Sequence, residues 1–159
     1  MFKNGRYAQA KVAFRRAGQV REVKICDAFF LREKARLIST AADEARTQAF
    51  LDAANAFFAR AQDAPSERVN ERQICFSAAV ECYLEARDLR KAGDIHRMVK
   101  QYRAAALCYK EGECIDEMVE VITQYESAFD SDHHKTLMKF ARMHYFKVSF
   151  DSWVISKSL

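Results

Sequence analysis

The chain has 159 residues, 50% hydrophobic and 30% charged, with a formal net charge of +4. That balance excludes a disordered chain, and four glycines with a single proline leave too little turn-forming material for a fold of many short strands. No stretch approaches the run of about 20 apolar residues that a membrane-spanning helix needs.

Alanine is abundant, with Glu, Arg, Lys and Leu, residues that lose little side-chain freedom in a helix. The first predicted helix covers about 6–17 and stops at Gly18, a left-handed C-terminal cap. A second covers 20–38, with Val23, Cys26, Phe30 and Leu37 at helical spacing. A third, 42–64, carries Phe50, Leu51, Ala54, Phe57, Phe58 and Ala61 on its buried face. Pro65 and Ser66 end it and open a fourth, which reaches about Arg87 with Ile74, Phe76, Ala79, Val80 and Tyr83 inward.

A short fifth helix spans 88–99, with Gly93 and Asp94 as its point of interruption. A sixth covers 101–111, a seventh 115–125 and an eighth 133–148. From Ser149 onward Phe150, Trp153, Val154 and Ile155 fall on no single stripe. The expected domain therefore occupies 1–148, and 149–159 is a tail laid on the last helix.

An internal repeat unites these elements. Phe14, Phe58, Tyr83 and Tyr109 each follow an alanine by four positions (Ala10, Ala54, Ala79, Ala105). Each precedes a small residue by three (Ala17, Ala61, Ala86, Gly112). Offsets of −4, 0 and +3 share one helical face, so a ring flanked by small residues offers hollows into which a neighbouring helix can pack. The aromatics are separated by 44, 25 and 26 residues. Spacings in this range mark helix pairs stacked as a solenoid, with room for an extra helix in the first interval. The expected fold is all-α, a right-handed solenoid of antiparallel pairs with seven or eight helices.

Motifs for chemistry are missing. None of Gly5, Gly18, Gly93 or Gly112 belongs to a phosphate-cradling or dinucleotide-binding glycine motif, and no nucleophile elbow occurs. His133 and His134 are adjacent, so on a helix they point about 100° apart and need ligands from elsewhere to hold a metal. Glu81 and Glu85, at i and i+4, read as like charges on a solvated face. No catalytic residue, cofactor or metal is expected, and the chain is read as a non-enzyme.

Charge is uneven. Residues 1–40 hold ten Lys or Arg against three acids, whereas 111–132 hold eight acids and no Lys or Arg. Lys3, Arg6, Lys11, Arg15, Arg16, Arg21 and Lys24 could neutralise nucleic-acid phosphates. No aromatic stacking platform accompanies them, so a solvated convex face is preferred and nucleic acid is the second reading. The five cysteines form no CxxC and no secretion signal precedes them, so reduced thiols and an intracellular setting, cytoplasmic or nuclear, are expected.

The run ICFSAAVECYLEARDLRKAGDIHRMVKQYRAAALCYKEGECIDEMVEVI resembles tetratricopeptide-like repeats, in which A-x-x-C-Y-x-x-A precedes a charged turn. The N-terminal FKNGRYAQAKVAFRRAG followed by AFFLREKAR is similar to the repeat region of large fungal tetratricopeptide and ankyrin repeat proteins that carry a UvrD-like superfamily 1 helicase domain. The likeness covers about 2–147. It departs from a steady 34-residue period, and Arg87 stands where a glycine often follows the alanine. The resemblance implies a scaffolding module for a protein or peptide partner, with helicase activity outside this chain.

Overall fold

The computed structural model describes the backbone of residues 4–157 and the side chains of 6–150. These residues form eight α-helices and one 3-10 turn, without a strand. The helices are α1 (Asn4–Arg16), α2 (Val20–Leu37), α3 (Asp43–Asp63), α4 (Val69–Glu85), α5 (Leu89–Met98), α6 (Tyr102–Glu111), α7 (Ile115–Gln124) and α8 (Ser131–Lys157). The 3-10 turn, Glu126–Ala128, follows α7. No helix among the described residues is long and apolar enough to cross a membrane.

Two of the expected breaks are absent. α5 passes through Gly93 and Asp94 without interruption. The tail expected from Ser149 is helical: α8 continues to Lys157. The sequence there shows no periodic apolar stripe. An established helix nevertheless propagates by one backbone hydrogen bond per residue without needing one.

Helix ends follow electrostatics more than side-chain caps. Acids occupy first turns, as in α3 (Asp43, Glu44) and α7 (Asp116, Glu117), and bases occupy last turns, as in α1 (Arg15, Arg16) and α2 (Lys34, Arg36). α5 and α8 do have side-chain caps. Asp88 Oδ1 accepts the Lys91 N–H at 3.1 Å, and Asp130 Oδ1 accepts that of His133 at 2.9 Å.

The chain divides into two compact units, Met1–Ala92 and Gly93–Leu159. In the first, α1 packs on α2, α2 on α3 and α3 on α4. Both α3 and α4 bury several alanines, Ala53, Ala54 and Ala61 on the first and Ala78 and Ala79 on the second, and small side chains let packed backbones come close. Phe50 and Phe57 fill the remaining volume, and Phe57 meets the edge of Phe29 with ring centroids 4.9 Å apart.

One end of this unit is closed by charge. Arg60, only 5% exposed, bonds Glu71 at 3.0 Å, and Arg68 bonds the same carboxylate at 3.2 Å. Arg21 donates to the Asp63 carbonyl at 2.7 Å.

In the second unit α6 packs on α7 and α7 on α8. Its core is Ala105, Ala106, Tyr109, Ile115, Met118, Val121, Ile122, Phe129, Leu137 and Ala141. Arg97 forks onto Glu120 through bonds of 3.1 and 2.6 Å, and the rings of Tyr102 and Tyr125 stack 3.7 Å apart.

Candidate functional site

The repeat residues fall into two groups. Ala54, Ala61, Ala79, Ala105 and Tyr109 are fully buried, and Tyr83 and Ala86 nearly so. Tyr83 donates its hydroxyl hydrogen bond to Asn55 Oδ1 at 2.6 Å, and Tyr109 donates to Asp94 Oδ1 at 2.7 Å. Each ring therefore lies in the core while its polar tip is satisfied by another helix.

Ala10, Phe14, Phe58 and Gly112 are only half-buried, and Ala17 is exposed because α1 ends one residue before it. On α3 the fully buried ring is Phe57; its neighbour Phe58 sits at the margin, 6.1 Å from Phe76.

Three of the four aromatics share a further property that no spacing rule reveals. The carbonyls of Phe14, Tyr83 and Tyr109 accept the N–H groups of Gln19, Asp88 and Cys114, each five residues on. His96 does the same for Gln101. Inside each loop a second bond runs from residue n+4 to the carbonyl of n+1: Gly18 to Arg15, Arg87 to Leu84, Lys100 to Arg97, Glu113 to Lys110. These paired bonds are Schellman caps, and the n+4 residue is left-handed in all four, with φ of 70°, 59°, 63° and 56°. Only the first is glycine. Phe58 has no such cap, because α3 runs on to Asp63 and leaves through the extended Ala64.

The basic N-terminal set is partly engaged within the fold. Lys3 lies outside the described residues. Lys11 pairs with Asp27, and Arg21 is held by the Asp63 carbonyl. Arg6, Arg15, Arg16 and Lys24 are exposed.

A cleft of about 800 Å³ opens on the first unit where the end of α2, the start of α3 and the end of α4 converge. Arg32, Arg36, Arg46 and Arg87 line it, together with Asp43, Glu81 and Glu85. The guanidiniums of Arg32 and Arg46 are held twice over. Arg32 lies 5.0 Å from the Phe29 ring centroid and bonds Glu81 at 3.3 Å; Arg46 lies 4.9 Å from that of Phe50 and bonds Glu85 at 3.0 Å.

The Glu81–Glu85 pair is exposed, as expected of a solvated face, and also bonds Arg32 and Arg46 across the cleft. Arg36 and Arg87 are exposed at its rim. Sequence reasoning missed this arginine set, since its members come from two helices, α2 and α3, and the turn after α4. The one available signal was the matching i, i+4 spacing of Arg32 with Arg36 and of Glu81 with Glu85.

Other titratable groups are structural. All five thiols are free, and four are buried. Burial pushes the Cys82 thiol up to about 11, which keeps it protonated at neutral pH. His133 contacts Asp130 at 2.6 Å, and that carboxyl is held below its usual range chiefly by the His133 backbone N–H. Among the described residues no group of His, Cys, Asp or Glu is arranged to hold a metal ion. No protein-family model, curated protein or solved structure matches the chain.

Proposed function

We propose that the chain is a non-catalytic scaffolding module, a tetratricopeptide-like stack of antiparallel helix pairs that binds a protein or peptide partner. The observation that carries this reading is the arginine-lined cleft, in which the Arg32 and Arg46 guanidiniums are held by aromatic rings and carboxylates before any partner arrives while Arg36 and Arg87 stand exposed at the rim. Preorganised guanidiniums lose little freedom on binding, so their contacts add affinity and orientation together. The stacking is supported by the ends of neighbouring helices. The first turn of α3 meets the last turn of α4 through Arg46 and Glu85, and the last turn of α3 meets the first of α4 through Arg60 and Glu71. By its resemblance the module would regulate a helicase-like protein.

A charge-reversal experiment tests the reading. The intact chain should recover one discrete partner, and Arg36→Glu with Arg87→Glu should abolish that recovery while helicity stays unchanged. Recovery indifferent to the double change would overturn the cleft as the site.

The exposed Arg6, Arg15, Arg16 and Lys24 favour a second reading, an accessory nucleic-acid contact through α1 and α2. It predicts affinity for DNA or RNA that falls steeply with salt, and absence of binding at low salt would eliminate it.

A further inference from the structure

Over residues 143–148, α8 carries large apolar side chains that its own unit leaves bare. Leu137 and Ala141 are buried, but Met143 is 65% exposed, Phe146 73% and Val148 54%. Single exposed apolar residues are ordinary; several on consecutive turns mark a contact surface. Phe140, Met143 and Phe146 line a groove of about 710 Å³ with Glu113 of the α6–α7 turn on its far side. Steps of three residues keep these apolar groups along one side of the helix.

The charges around the groove choose among occupants. Arg142 and Lys147 line it, and the Lys110 ammonium sits 5.0 Å from the Phe140 ring centroid. Glu113 is the single carboxylate of the lining. A second copy meeting this face about a two-fold axis would bring the same excess of positive charge, Lys110, Arg142 and Lys147 against the single Glu113, from both sides. An anionic bilayer meets a protruding face and not a groove with a carboxylate on its rim. A helix fits both the concavity and the spacing of the apolar groups.

We propose that the groove between the α6–α7 turn and α8 receives an acidic amphipathic helix of a partner protein. Its apolar stripe would lie on Phe140, Met143 and Phe146, and its carboxylates would face Lys110, Arg142 and Lys147. The surface lies wholly within the second unit, so it stands or falls separately from the arginine cleft.

The test uses the full chain and two labelled synthetic peptides, each with leucine on one helical face and either glutamate or lysine on the other. In fluorescence anisotropy the glutamate peptide should bind at least about tenfold more tightly than the lysine peptide, a difference of about 1.4 kcal/mol. Phe146→Glu, and separately Arg142→Glu with Lys147→Glu, should each weaken it by a similar factor with the circular dichroism unchanged. Phe146→Ser serves as a second apolar variant if Phe146→Glu perturbs the helix. Arg36→Glu with Arg87→Glu should leave this binding intact.

Equal affinity for both peptides, or indifference to the Phe146 and charge variants, would overturn the proposal. So would self-association in sedimentation, or co-sedimentation with phosphatidylserine vesicles, that Phe146→Glu abolishes while neither peptide binds. Those results would assign the groove to a second copy or to a lipid surface.

Discussion

Gly93 lies directly against the ring of Tyr109: a Cβ added at Gly93 would stand 2.6 Å from Cε1 and 2.8 Å from Cδ1 of the tyrosine. The glycine therefore admits the ring; it does not break the helix. Tyr109 is completely buried and its hydroxyl is tied to Asp94, so it has nowhere to retreat. Gly93→Ala should destabilise the second unit by about 1–3 kcal/mol, the usual cost of overpacking, even though alanine is the better helix former by about 1 kcal/mol. Thermal denaturation of the variant checks this, and a raised midpoint would contradict the contact.

Three helix ends carry a left-handed residue that is not glycine. Arg87→Gly and Lys100→Gly should each stabilise the fold by about 0.5–1 kcal/mol. Relief of the left-handed penalty of about 1–2 kcal/mol is partly offset by the greater unfolded-state freedom of glycine. Gly18→Ala should act in the opposite direction, with φ at 70° as its cause. Urea midpoints of the three variants decide the matter.

Arg60 and Glu71 form the charge closure of the first unit. Arg60→Ala leaves Glu71 with Arg68 as its remaining guanidinium and removes one charge-assisted bond at a partly buried carboxylate, so it should cost about 1–3 kcal/mol. Burial alone would raise the Glu71 carboxyl, but the Arg68 and Arg60 guanidiniums outweigh it and hold its pKa below the usual value of 4.5. A carboxyl whose folded pKa is depressed contributes stability that is complete above its unfolded pKa and is lost as pH falls through the folded value. The native chain should therefore lose stability below about pH 4.5, and Glu71→Gln should flatten that part of the curve.

Ala79 and Ala105 are each 0% exposed. Ala79→Trp and Ala105→Trp should each lower the thermal midpoint, the first through the α3–α4 contact and the second through the core of α6 and α7. Overpacking costs about 1–3 kcal/mol or more where no cavity can absorb the ring. Unchanged midpoints in both would refute the packing role of these alanines.

Much of the helix order is legible in the sequence because composition and breaks agree. Gly18, Pro65 and the alanine–aromatic motif mark where helices stop or pack. Other features obey rules that residue types do not announce. Arg87, Lys100 and Glu113 adopt the glycine conformation because two backbone bonds compensate for it. Gly93 carries the usual sign of a break, yet its meaning depends on a ring sixteen positions away. The arginine cleft was illegible for a related reason: Arg32, Arg46 and Arg87 meet only once α2, α3 and α4 have packed. The helical continuation to Lys157 was hidden because the sequence from Ser149 carries no apolar period to detect, whereas an established helix extends by backbone hydrogen bonds alone.

The left-handed residues at 87, 100 and 113 recur at intervals of 13. Such metre makes α5 and α6 intolerant of changes in length. Inserting or deleting one residue between Lys100 and Tyr109 would swing everything downstream by about 100°. Tyr109 would then lose both its glycine seat and its carboxylate, whereas loop tips elsewhere would absorb the same change. Gene variants that shift the count in this stretch should be far rarer among functional copies than those that merely exchange its surface letters.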